Sequence, residues 1–198
     1  MMQIVLASQS PRRSELLKQL GLDFTIKTAN IDESNSMGLK ASELVQHLAF
    51  EKAQVIASSI AEDSSSNKEY IVIGADTVVV KDSIILGKPQ DMKDAFNMLK
   101  SLQGRWHEVM TGIAVIDVQS SKYDTSVEIT RVKMKELTDG MINAYIDSRE
   151  PLDKAGAYGI QGLGAVLVDR IDGCYFNVVG LPISKLSDIL RNYGIYVL

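Results

Sequence analysis

Apolar and polar residues alternate along the chain at two periods, one suited to strands and one to helices. Residues 3 to 7 (QIVLA) predict a short buried strand running into a turn at Ser8 to Ser10, and residues 11 to 20 (PRRSELLKQL) a helix closed by Gly21. A second strand is expected over Phe24 to Lys27, then a polar loop through Asn30 to Gly38. A long helix follows from about Ala41 to Ile60, its apolar stripe drawn by Leu44, Val45, Leu48, Val55 and Ile56. Residues 61 to 69 (AEDSSSNKE) are small and polar and read as a disordered linker, too short to separate independent domains.

Residues 70 to 80 (YIVIGADTVVV) form a β-branched run typical of a central strand, turned back by Lys81-Asp82-Ser83 into Ile84 to Leu86. A helix is expected from Asp91, a good N-cap, to a stop at Gly104. Residues 105 to 117 and 122 to 134 read as two long strands, and Thr138 to Asp147 as a short helix. Gly164 to Ile171 and Cys174 to Val179 are expected to pair as a hairpin about Asp172-Gly173, before a final helix from Pro182. Early alternation of strands and helices with later hairpins predicts a mixed α/β sheet.

Composition narrows the chemistry. The 198 residues fit one large domain or two small lobes, and 21 Lys plus Arg against 25 Asp plus Glu leave a net charge of −4. A net negative chain with no basic block offers little to a nucleic acid or an anionic membrane, whereas a single phosphorylated small molecule remains compatible. Cys174 is the only cysteine, and His47 and His107 the only histidines, so a metal must be held by oxygen. No apolar run approaches a membrane span, and a soluble cytoplasmic protein is expected. The oligomeric state is left open, a homodimer included.

Four places break the hydrophobic pattern. Arg12 and Arg13 fall in the first turn of a helix, where the dipole disfavours cations; with the Ser8 and Ser10 hydroxyls they suit a phosphate, or else they are solvated arginines on a capped surface helix. Lys52 falls near the centre of the long helix's apolar stripe, where it either snorkels past the core edge or reaches an anion in a cleft. On the stripe alone, replacing it by Met repairs the pattern at little cost in stability, or with a gain. Asp76 interrupts the most strand-like run, and burying a carboxylate costs several kcal/mol unless it is paired or bound to metal. Functional use of Asp76 is favoured over a hydrogen-bonded strand end, and Lys88, one hairpin later, could lie alongside it. Residues 153 to 164 (DKAGAYGIQGLG) carry four glycines without the spacing of a Walker or Rossmann loop, either as a mobile connection or to present the Gln161 amide to a flat ligand.

Taken in order, LASQSPRR at 6 to 13, IGADTVV at 73 to 79, LGKP at 86 to 89, GRWHEVMTGIAV at 104 to 115, EPLDKAGAYGIQG at 150 to 162 and VVGLP at 178 to 182 resemble the Maf family of nucleoside triphosphate pyrophosphatases, first named as septum-formation inhibitors. The resemblance spans almost the entire chain. It implies a single Maf-like domain over residues 1 to 198, with an inosine-triphosphatase-like α/β fold of two lobes and a mixed twisted sheet, the nucleotide lying in the central cleft. It also implies hydrolysis of the α–β anhydride to a monophosphate and pyrophosphate with a divalent cation, Mg²⁺ or Mn²⁺. Asp76 matches the family's proposed general base, and Ser8, Arg13, Glu33, Lys52 and Lys88 its polar cleft positions. Asp76 with Glu33 can then hold the metal through oxygens, while Arg13, Lys52 and Lys88 offset phosphate charge. Arg12, Thr77 and Gln161 are similar to members that read thymine and uracil, where the sister group acting on 7-methyl-GTP has Trp, Gln and Glu. An amide offers both a donor and an acceptor to the pyrimidine edge, whereas Glu suits the paired donors of guanine. The implied activity is dTTP/UTP hydrolysis for pool cleaning. The alternatives are broader house-cleaning of noncanonical nucleotides, 7-methyl-GTP hydrolysis, and a nucleotide-binding regulator of septation without turnover. Ser148-Arg149 matches no family role.

Overall fold

The computed structural model describes residues 2–34, 37–63 and 68–198. The centre of the expected linker, 64–67, and two residues of the polar loop, 35–36, lie outside the described residues. In chain order the elements are β1 (Gln3–Ala7), α1 (Pro11–Gln19), β2 (Phe24–Lys27), α2 (Ala41–Glu62), β3 (Tyr70–Lys81), β4 (Ile84–Leu86), α3 (Met92–Leu102), β5 (Trp106–Asp117), β6 (Tyr123–Met134), α4 (Asp139–Asp147), β7 (Val168–Asp172), α5 (Tyr175–Val179) and α6 (Ile183–Arg191). Short 3-10 turns cover Glu150–Asp153, Ala155–Ala157 and Gly162–Leu167.

The strands form a seven-stranded mixed sheet in the order β2-β1-β3-β5-β6-β7, with β4 paired to β3. β1 runs parallel to both β2 and β3, whereas β3–β4 and β6–β7 are antiparallel. The expected mixed α/β sheet is therefore present. Among the described residues no helix is long and apolar enough to cross a membrane.

Two compact units divide the chain. The first comprises Met1–Asp76, Thr111–Glu128 and Gly180–Leu198. Its core packs the small face of α2 (Ala49, Ala53 and Ala57, with Ile56 and Ile60) on Val5, Val72, Ala114 and Ile116. Helix and sheet approach closely because two strand positions lack a side chain: a Cβ on Gly74 would lie 2.1 Å from the Ala49 carbonyl oxygen, and one on Gly112 2.1 Å from that of Val45. The buried stripe of α2 is Leu44, Val45, Leu48, Ala49, Lys52, Ala53, Ile56, Ala57 and Ile60. Val55, expected on that stripe, is 44% exposed instead, because the alanines rather than the valine face the sheet.

The second unit comprises Thr77–Met110 and Ile129–Val179. Leu99, Leu102, Val132, Met134, Ile142 and Ile146 centre its core. Asp91 caps α3 by accepting from the Asp94 N–H at 2.7 Å, and Thr138 caps α4 by accepting from the Met141 N–H at 3.2 Å.

The expected hairpin about Asp172-Gly173 is not formed. β7 begins only at Val168, pairs with β6, and is followed by helix α5 in place of a return strand. Local β propensity at Cys174 to Val179 loses to a side-chain network. Thr130 Oγ1 accepts from the Cys174 N–H at 3.0 Å and donates to its carbonyl at 3.2 Å. The fully buried Asn177 donates to the Val109 carbonyl and to Thr130 Oγ1, both at 2.9 Å. Backbone groups that a hairpin ladder would have used are thus taken by side chains.

Candidate active site

Two patterns converge in the first unit to place a charge pair. Gly74 and Asp76 are two apart on β3 and so share a face. On α2, Ala49 and Lys52 are three apart and share the buried stripe. Because Gly74 lets α2 settle onto β3, the Lys52 ammonium comes to 2.6 Å from Asp76 Oδ1. Lys52 is 8% exposed and Asp76 8%, so the pair is buried and the lysine does not snorkel. Glu33, in the polar loop before α2, reaches the same ammonium from the solvent side, its Oε1 2.6 Å from Nζ with the side chain 45% exposed.

Ser8 and Arg13 occupy the same unit. Ser10 is the N-cap residue of α1 with Pro11 following, but its hydroxyl does not cap. Instead the buried Ser8 Oγ accepts from the Ser10 N–H at 3.2 Å and from Arg13 Nη1 at 3.3 Å. Arg13 also donates from Nη1 to the Ala75 carbonyl and from Nε to the Gly180 carbonyl, both at 2.8 Å. Burial pushes its guanidinium below the ordinary arginine pKa, opposed by the negative charge of Asp76 and Glu33 and reinforced by Arg12. The cation in the first turn of α1 is thus partly spent on main-chain carbonyls of β3 and of the segment before α6. Arg12 lies half-buried beside it.

Ser8, Arg13, Glu33, Lys52 and Asp76 belong to the first unit; Thr77, Lys88 and Gln161 belong to the second. Thr77 is half-buried on β3, Lys88 is exposed in the loop after β4, and Gln161 is half-buried just before the 3-10 turn at Gly162–Leu167, which its side chain does not cap. The glycines around Gln161 face the protein's own side chains. Gly162 has φ +63°, and a Cβ there would lie 2.8 Å from Glu150 Oε2; one on Gly164 would lie 2.6 Å from the Tyr145 hydroxyl oxygen.

That network was not legible in the sequence. Glu150 is half-buried, and its carboxylate accepts from the Tyr145 hydroxyl and from the Leu163 and Gly164 N–H groups. Ser148 and Arg149 shape its approach. The Ser148 hydroxyl accepts from the Glu150 N–H at 3.2 Å, and Arg149 adopts φ 60° ahead of the 3-10 turn. The available signal was a charged residue heading the glycine-rich stretch, with a tyrosine five residues before it.

The donor set fits a divalent cation shared with a ligand. Glu33 Oε1 and Asp76 Oδ1 both lie 2.6 Å from one ammonium, so they are at most twice that distance apart around a point already holding positive charge. Among the described residues no cluster of three or more His, Cys, Asp or Glu could hold a metal by itself. Two carboxylates completed by ligand phosphates and water are the usual protein share of a magnesium-type site.

The chain is similar to several named proteins. A protein named dTTP/UTP pyrophosphatase from Acetivibrio thermocellus is 64% identical over 198 residues, covering 100% of this chain and 98% of its own. One of the same name from Thermoanaerobacter sp. (strain X514) is 52% identical, covering 96% of each chain. A solved structure of a nucleoside-triphosphatase / dITP/XTP pyrophosphatase from Mycobacterium abscessus aligns over 98% of both chains at 12% identity, with a TM-score of 0.40. A family model described as Maf-like protein matches residues 3–193, and the chain therefore belongs to the Maf family.

Proposed function

We propose that the protein hydrolyses pyrimidine nucleoside triphosphates, dTTP and UTP, at the α–β anhydride to release pyrophosphate. The observation that carries this reading is the Lys52 ammonium held at 2.6 Å by both Glu33 and Asp76, a buried point built to stabilise positive charge between two carboxylates. The dTTP/UTP pyrophosphatase relatives, 64% and 52% identical, support the substrate class.

Asp76 orients the attacking water and takes its proton. The water oxygen bonds to the α-phosphorus, the bond from that phosphorus to the bridging oxygen breaks, and pyrophosphate leaves. Lys52 and Lys88 offset charge on the phosphate oxygens as it grows. Arg13, tied to Ser8 and two carbonyls, acts as a fixed positive charge at the start of α1, where N–H groups also favour a phosphate. Glu33 and Asp76 are the residues that would hold a divalent cation, Mg²⁺ or Mn²⁺, which would supply neutralisation of phosphate charge. Arg12, Thr77 and Gln161 read the base, the Gln161 amide pairing a donor and an acceptor with the pyrimidine edge.

The test is incubation with each nucleoside triphosphate and a divalent cation, separating pyrophosphate from orthophosphate. Pyrophosphate from dTTP and UTP is expected. Orthophosphate as the first product, or undiminished turnover in excess chelator, overturns the reading.

A further inference from the structure

We propose that Glu150, locked by Tyr145, is the positioning residue that orients Gln161 toward the base. This rests on the reading above, in which Gln161 contacts the pyrimidine.

Glu150 Oε2 accepts from the Leu163 N–H at 3.0 Å, and Oε1 from the Gly164 N–H at 3.1 Å. On the other side of Gln161, the Gly159 N–H donates at 3.2 Å to the Tyr145 hydroxyl, which itself donates to Glu150 Oε1 at 2.9 Å. Both legs of the loop that carries Gln161 therefore end on one tyrosine–glutamate pair. Gly162 and Gly164 let the backbone come close enough to make these bonds, since a Cβ at either position would meet Glu150 or Tyr145 inside 3 Å.

The pair is itself fixed. Tyr145 is 5% exposed on α4, and burial pushes its phenol pKa up, so it stays protonated as a donor. Burial alone would raise the Glu150 pKa, but the Gly164 and Leu163 N–H groups, the Tyr145 hydroxyl and the Lys154 charge together outweigh it and hold the carboxyl below its usual range. Lys154 Nζ donates to the Glu150 carbonyl at 2.5 Å and to Asp153 Oδ1 at 2.7 Å, steadying the turn that presents the carboxylate. Charge-assisted bonds from backbone N–H groups to a carboxylate are stronger than neutral ones and directional. A base-reading amide needs such a frame, because a side chain on a glycine-rich loop has no rigidity of its own.

The test uses the whole protein and two ligands, UTP and inorganic tripolyphosphate, which shares the phosphates but has no base. Glu150→Gln replaces one acceptor oxygen by an NH₂ that faces N–H donors. Tyr145→Phe removes only the hydroxyl and serves should the first variant fold poorly. Each is expected to raise KM for UTP about tenfold with kcat within twofold, while the inhibition constant of tripolyphosphate stays within twofold. Gln161→Ala should show the same split, and adding Glu150→Gln to it should change KM by less than twofold, because the two act through one contact. Equal weakening of UTP and tripolyphosphate, or multiplying effects in the double variant, makes Glu150 merely structural and overturns the proposal. An unchanged KM for UTP in Gln161→Ala overturns the base reading itself, and this proposal with it.

Discussion

Lys52→Met separates the apolar pattern of α2 from its electrostatics, because the two predict opposite signs. On the stripe alone, Met fills a buried helix position with apolar atoms and gains about 1–2 kcal/mol. Lys52, however, is 8% exposed and 2.6 Å from the equally buried Asp76. Removing one partner of a buried ion pair leaves an uncompensated charge and costs about 3–5 kcal/mol. The Glu33 contact adds little, since that side chain is 45% exposed and solvent screens it. The net expectation is a loss of about 1–4 kcal/mol, which for a chain of this length lowers Tm by roughly 2–16 °C. Calorimetry or a denaturant melt reads it directly. Asp76→Asn in the same chain should recover most of the loss, since it removes the stranded charge. A Lys52→Met protein that melts at or above the wild-type temperature would refute the reasoning, as would a double variant whose losses simply add.

Further outcomes follow from other sites. Asp76→Asn should abolish pyrophosphate release from UTP while the protein still melts cooperatively; near wild-type turnover in a folded variant would make Asp76 structural. Gln161→Glu turns a donor-and-acceptor amide into an acceptor only and should cost about 1–3 kcal/mol, a ten- to hundredfold fall in kcat/KM for UTP relative to 7-methyl-GTP; an unchanged ratio removes Gln161 from base reading. His107 is buried against Tyr158, and burial lowers its pKa to about 4. The unfolded chain, with an ordinary histidine near 6.5, binds this proton first as pH falls, so stability is complete above about 6.5 and declines toward 4 at about 1.4 kcal/mol per pH unit. His107→Gln should flatten that decline, and an equal slope in the two proteins would show that other groups cause it.

The strands and helices of both units were largely legible because each carries its own period and punctuation: Pro11 at a helix start, Asp91 as a cap. The failures have a common cause. Cys174 to Val179 looks like a strand locally, and its helical form depends on Thr130, distant in sequence on β6, which bonds both the Cys174 backbone and the Asn177 side chain. Val55 looks apolar enough for the core, yet the two glycines under α2 favour an alanine face, and that preference is visible only once helix and sheet are seen together. Lys52 and Asp76 announced themselves as polar residues in apolar runs, so the centre of the candidate site was readable. Glu150 and Tyr145 were not, because a glutamate heading a loop and a tyrosine in a helix contradict no pattern.

The bond from Arg13 to the Gly180 carbonyl joins residues 167 apart. During synthesis at about 5–20 residues per second, Arg13 emerges roughly 8–30 s before its partner exists. Over that interval the guanidinium has Ser8 and, once β3 is made, the Ala75 carbonyl as acceptors for Nη1, while Nε still lacks its own. The anchoring of Arg13 is therefore completed in order along the chain: Ser8 and Ala75 supply two acceptors early, and the third closes only when the segment before α6 arrives.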